Sequence, residues 1–139
     1  MTFSLFNNNK DPIIRQPAGL YLSASPIHGL GVFSKFSIPK STLIETAPFI
    51  AGSAADYAML SQTILHDYYF MVADKKAPVA IGLGFSSWYN HSCPANAIYS
   101  ILKNKMIIEI KAVRNIEAGE EITINYHGAF NNTTAIEFW

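Results

Sequence analysis

Three groups of residues in this chain could do chemistry. Gly29-Leu30-Gly31 puts glycines at alternate positions, where a backbone can pass close to a ligand. It lacks the longer glycine fingerprint of a nucleotide or phosphate loop, and by itself it reads as a plain turn. Asn90-His91-Ser92-Cys93 gathers an amide, an imidazole, a hydroxyl and the single thiol of the chain. A metal site would have to draw on His28, His66, His91, His127 and Cys93, whose positions lack the close pairs that mark zinc, so no metal is expected. A cysteine hydrolase would need Cys93 as thiolate with His66 or His127 as base. A cysteine followed by Pro94 in apolar surroundings reads more simply as a small buried hydrophobe, and the stretch as a whole as a polar loop whose Asn and His satisfy backbone groups. The third group is tyrosine. Tyr99 and Tyr126 stand near the ends of apolar runs, with Tyr68, Tyr69 and Tyr89 upstream; such aromatics ordinarily pack in cores, but each also carries a hydroxyl.

Short strands and turns must position these residues. Leu20 to Ala24, Val32 to Ser34 and Leu43 to Ile50 are apolar runs punctuated by Pro26, Gly29, Gly31, Pro39 and Pro48, and the prolines exclude a long helix there. One helix is predicted from about Ala54 to His66. Ser53 caps it with Asp56 three residues on, and Tyr57, Leu60 and Ile64 recur at helical spacing as one apolar face. Ala97 to Leu102 and Met106 to Val113 flank the polar turn Lys103-Asn104-Lys105. Met106, Ile108, Ile110 and Ala112 alternate there with Ile107, Glu109 and Lys111, which predicts a hairpin. A last strand, Glu121 to Tyr126, follows the turn at Ala118 and Gly119. Residues 1–18, with Pro12 and Pro17 and no periodicity, read as an arm.

The chain has 139 residues, enough for one domain. Half of them are hydrophobic and only 14% are charged, against roughly 25% in ordinary soluble domains. Ten basic residues balance ten acidic ones, so no surplus attracts nucleic acid or anionic lipid. A lone cysteine excludes an internal disulfide. Neither a signal peptide nor a run of ~20 apolar residues is evident, and a cytoplasmic or nuclear location is expected.

Taken in order, Gly29-Leu30-Gly31-Val32-Phe33, Asn90-His91-Ser92-Cys93 with Asn96, and Glu120-Glu121-Ile122-Thr123-Ile124-Asn125-Tyr126 resemble the three motifs of the SET domain, the fold of most protein lysine methyltransferases. The likeness runs from about Leu20 to Gly128. It implies a mostly β fold, a β-clip of several small twisted sheets with a C-terminal pseudoknot and one short helical insert. The SET domain would span residues 19–128, between the arm and a C-terminal segment of residues 129–139. The zinc-binding cysteines that flank many eukaryotic members are absent, which resembles the minimal domains met in bacteria and viruses.

The resemblance further implies an S-adenosylmethionine-dependent protein-lysine N-methyltransferase. His28, Gly29, Leu30 and Gly31 would contact the cofactor through the backbone, and Trp88, Tyr89, Asn90 and His91 would hold its amino group and adenine. Tyr126 would be the catalytic tyrosine and also border the cofactor, with Tyr99 lining the lysine channel. Phe130, Phe138 or Trp139 would cover the adenine and close the channel. Two departures stand out: Pro94 precedes Ala95 and not the Asn of the motif, and Asn125 occupies a place where an acidic residue is frequent. The expected partner is a protein or peptide lysine, with no direct nucleic acid and no membrane. A homodimer would account for part of the high apolar content. The rival expectation is a binding module that keeps the fold without turnover.

Overall fold

The structure, a computed structural model, describes residues 17–136, so all but the last two residues of the expected arm lie outside it, as do Phe138 and Trp139. Among the described residues nine strands form two sheets. Strands β1 (Leu20–Ala24), β2 (Leu30–Ser34), β6 (Asn90–His91) and β9 (Glu121–Ile124) make one, in the order β1-β2-β9-β6. Strands β3 (Leu43–Gly52), β4 (Tyr69–Met71), β5 (Val79–Gly82), β7 (Ala97–Leu102) and β8 (Ile107–Ala112) make the other, in the order β4-β5-β3-β8-β7. Val32, Ile122 and Ile124 of the first sheet join Phe49, Ala80, Ala97, Ile108 and Ile110 of the second in one buried cluster.

Strand β9 determines how the site is built. It pairs antiparallel with β2, Val32 opposite Ile122, and parallel with β6, Asn90 opposite Thr123 and His91 opposite Ile124. The chain beyond it returns to the segment after β6, where the Ala95 N–H donates to the Phe130 carbonyl at 2.9 Å. The glycine turn, the Asn90 stretch and the chain leading to Tyr126 thus meet on one strand. Strand β3 changes partner midway. Leu43 to Pro48 pair with β8 and Phe49 to Gly52 with β5, and Pro48, which has no N–H to give, stands at the switch.

The predicted hairpin is β7 and β8, in register from Ala97 opposite Ala112 to Leu102 opposite Ile107. Met106, expected in the strand, instead adopts φ 55° in the turn and is exposed. The predicted helix is shorter than expected. Helix α1 spans Ala54–Leu60 behind the Ser53/Asp56 capping box, and a separate 3₁₀ turn covers Ile64–Asp67. Between them the Ser61 hydroxyl and the Gln62 amide donate to the Ala58 carbonyl and the Thr63 hydroxyl to that of Leu60, local bonds that compete with helix continuation. No residue of α1 is buried and Ile64 is 86% exposed, so the apolar spacing did not mark a core face. Strands β4 and β5 had no sequence signal. The last strand ends at Ile124, two residues short of its expected end, because Asn125 turns the chain. Cys93, expected to be buried, is exposed.

Candidate functional site

The site has two halves that share β6. On one side is the turn between β1 and β2. Ser25 closes it, its N–H bonded to the Gly29 carbonyl and its hydroxyl accepting from the Ile27 N–H, both at 2.9 Å. The same hydroxyl donates to the Glu121 carboxylate, 2.8 and 2.9 Å from its oxygens. The Asn90 Nδ2 donates to the carbonyls of His28 and Leu30, both at 3.0 Å, and to Glu121 Oε1 at 2.8 Å. Two amide hydrogens thus serve three acceptors. Asn90 Oδ1, by contrast, accepts nothing from the described residues.

Glycines are required in this turn for two different reasons. Gly29 has φ +50°, a conformation that side chains disfavour, and open space lies where its Cβ would be. Gly31 sits so close to Glu121 that a Cβ would run into its carboxylate and come within 3.2 Å of Asn90 Nδ2. Gly29 leaves bare backbone toward solvent, while Gly31 lets the Asn90–Glu121 brace close.

On the other side is an aromatic cleft of about 220 Å³, lined in part by Asp67, Tyr68, Phe70, Tyr89, Tyr99 and Tyr126. The Tyr126 hydroxyl donates to the Tyr89 carbonyl at 3.0 Å, and its backbone N–H donates to His91 Nδ1 at 3.1 Å. The Tyr99 hydroxyl donates to the Tyr126 carbonyl at 3.2 Å, and its ring meets Phe70 edgewise at 4.9 Å. Tyr126 is therefore held at its hydroxyl, its amide and its carbonyl. Burial first, then the Asp67 charge, push its phenol pKa up to about 12, so it is neutral at physiological pH. Burial raises the Tyr99 phenol as well. Burial and the neighbouring His127 lower the His91 imidazole, in keeping with a neutral ring whose Nδ1 accepts a hydrogen bond.

The structure brings His28, Gly29, Leu30, Gly31 and Asn90 together at the turn and Tyr89, Tyr99 and Tyr126 at the cleft, with His91 joined to Tyr126 and facing His127. Trp88 is 37% exposed and edgewise to Tyr68 at 5.8 Å. The side chain of Tyr89, 1% exposed, reaches into the core and not toward the turn, so its carbonyl is what it offers the site. Cys93 makes no hydrogen bond to His66 or His127. His66 Nδ1 lies 3.3 Å from the Tyr69 hydroxyl and His127 Nε2 3.3 Å from the Ala135 carbonyl, so no cysteine hydrolase dyad is assembled. Among the described residues no three His, Cys, Asp or Glu converge as metal ligands. Ser25, Glu45 and Asp67 carried no site signal in the sequence. Ser25 and Glu45 bond to elements far along the chain, which periodicity cannot reveal.

The chain belongs to the SET domain family, whose profile matches residues 29–127. It is 32% identical over 116 residues to the histone-lysine N-methyltransferase of Schizosaccharomyces pombe specific for H3 lysine-37, covering 83% of this chain and 76% of that protein. It is 38% identical over 64 residues to histone-lysine N-methyltransferase set9 of Neurospora crassa, covering 46% of this chain and 8% of that protein. Among solved structures it resembles a Plasmodium falciparum protein assigned as a histone methyltransferase, with a TM-score of 0.64 at 30% identity, covering 81% of this chain and 95% of the other. A Polycomb Repressive Complex 2 structure bound to S-adenosylmethionine shares the fold, with a TM-score of 0.66 at 21% identity over 78% of this chain and 15% of that one.

Proposed function

We propose that this protein is an S-adenosylmethionine-dependent protein-lysine N-methyltransferase. The observation that carries this reading is the threefold restraint of Tyr126 at an aromatic cleft that adjoins the Asn90-braced glycine turn. The residues on the turn side suit the cofactor. Bare backbone at Gly29 admits a close ligand, Asn90 Oδ1 is a spare acceptor for an ammonium group, and Trp88 and His91 offer partly exposed rings for a purine. When bound, S-adenosylmethionine would supply a methyl group on a sulfonium, which the lysine amine takes with its lone pair as the carbon–sulfur bond breaks toward sulfur.

The chain's own contribution is placement. An aromatic cleft disfavours the ammonium form of a lysine by desolvation, so the amine gives its proton to water and no strong base is required. Tyr126, neutral and with its proton committed to the Tyr89 carbonyl, turns its oxygen lone pairs to the cleft as acceptors, and the walls hold the amine at near-attack distance. A protein lysine is the substrate, and a homodimer is the assembly in which the reading places the chain. Light scattering at twice the 15.4 kDa chain mass would agree with the dimer, and monomer at assay concentration would refute it.

Calorimetry with S-adenosylmethionine, paired with transfer of labelled methyl groups to protein substrates, tests the function. Binding and transfer are expected. Folded protein that does not bind the cofactor contradicts the reading, while binding without transfer to any lysine substrate leaves a non-catalytic module.

A further inference from the structure

Glu45 is 3% exposed in β3, among the apolar residues that join the two sheets. Burial raises its carboxyl above the ordinary range although two donors oppose that shift. A carboxylate in a core is costly, and a hydrophobic residue of similar size would pack there at no such expense. Its partners show what the charge does. Glu45 Oε1 accepts from the Phe85 N–H and Oε2 from the Tyr89 hydroxyl, both at 2.8 Å. Gly84, at φ +67°, allows this approach, because a Cβ there would stand 2.7 Å from Oε1.

One carboxylate therefore fastens residues 85–89 at both ends. That stretch lines the cleft through Ser86, Ser87 and Tyr89, and it ends in the carbonyl that receives the Tyr126 hydroxyl. We propose that Glu45 is a positioning residue for methyl transfer, fixing the Tyr89 carbonyl, and through it the direction of the Tyr126 hydroxyl, without touching substrate or cofactor. This rests on the methyltransferase reading of the cleft. If the fastening is lost, the Tyr89 carbonyl shifts, the Tyr126 proton is free to rotate, and its lone pairs no longer face the cleft in one direction. The turn that holds Gly29 is braced by Asn90 and Glu121, outside the fastened stretch, so the cofactor keeps that hold, while Trp88 lies inside it and any change in cofactor affinity is expected to be smaller than the loss in kcat.

Three single variants, one double variant and two readouts test this. Glu45→Ala removes both bonds. Tyr89→Phe removes one while keeping the volume, and it decides the matter if Glu45→Ala does not fold. Glu45→Gln keeps both contacts, since its amide carbonyl can accept from Phe85 and its NH₂ can donate to the Tyr89 oxygen. Tyr89→Phe and Glu45→Ala are expected to lower kcat about 10²-fold, the scale of a small misplacement of reacting groups, with KM for S-adenosylmethionine changing by much less than that. Glu45→Gln is expected to recover most of kcat, and the double variant Glu45→Ala/Tyr89→Phe to be no worse than Glu45→Ala. Folded variants that keep kcat, or losses that fall on cofactor KM instead, overturn the proposal. The second readout needs no activity. In tyrosine-labelled protein at neutral pH, the Tyr126 ring resonance should shift in Tyr89→Phe and stay near its wild-type position in Glu45→Gln. If the wild type transfers no methyl group, the functional reading fails, and the resonance still decides whether Glu45 positions Tyr126; an unmoved Tyr126 signal in folded Tyr89→Phe overturns that.

Discussion

Tyr126 and His91 meet ring to ring and share one hydrogen bond, from the Tyr126 N–H to His91 Nδ1. A protonated imidazole would present a second donor to that N–H, and the bond would be lost. Because folding lowers the His91 pKa, the stability it contributes is present above the ordinary imidazole value of about 6.5 and is lost as pH falls below it. Melting temperature and methyl transfer are both expected to decline as pH drops from 7 to 5, and His91→Gln to flatten that slope. An equally steep slope in the variant would assign the decline to other groups. For Tyr126 the sign is opposite. Its raised phenol favours the folded state below about 10, and stability is lost as pH climbs from there toward 12. These two residues were legible in the sequence because each sits in a short motif that resembles one of the family. Glu45 was not, since its tie to Tyr89 spans 44 positions and nothing local distinguishes it from an outward-facing strand glutamate.

At the scale of elements, β9 joins the parts of the site, and small changes beside it should be costly. Gly31→Ala pushes a methyl group into the Glu121 carboxylate and against Asn90, and it should cost about 1–3 kcal/mol in chemical denaturation together with a loss of cofactor affinity. An alanine that leaves both unchanged would show that Glu121 does not close the turn. Asn125, fully buried after β9, donates its Nδ2 to the Asn132 carbonyl at 2.7 Å and accepts from the His127 N–H at 3.0 Å. This explains the departure from the acidic residue frequent there, since a carboxylate could not donate to Asn132. Asn125→Asp should destabilise by about 1–3 kcal/mol, and more as pH rises and the buried acid is driven to ionise. Thermal melts from pH 5 to 8 would show this, and a pH-independent loss would contradict it. Elements were legible where alternation or a cap was plain, as in β7, β8 and the start of α1. They were not where the signal was short or misleading. β4 has three residues, β5 has four that are almost all buried, and the apolar spacing beyond Leu60 proved to be an exposed 3₁₀ turn.

At the scale of the molecule, low charge and high apolar content follow from the architecture. Two small sheets share one core, and the cleft beside the 3₁₀ segment has aromatic walls besides. The surface nonetheless keeps large apolar side chains, Met59 at 72% and Ile64 at 86% exposure among them. Composition alone located neither the cleft nor the join, because both depend on β9 entering between β2 and β6, a long-range pairing that no local pattern encodes. Methyl transfer to lysine at Tyr126 is the central proposal. The most direct measurement is mass spectrometry of cellular proteins incubated with S-adenosylmethionine and either the wild type or Tyr126→Phe. New methyl-lysine is predicted with the wild type. With folded, cofactor-binding Tyr126→Phe it should fall by about 10²-fold, the scale of losing one fixed polar group at a reacting centre. Equal methylation by the two proteins, or none by a cofactor-bound wild type, would contradict the account.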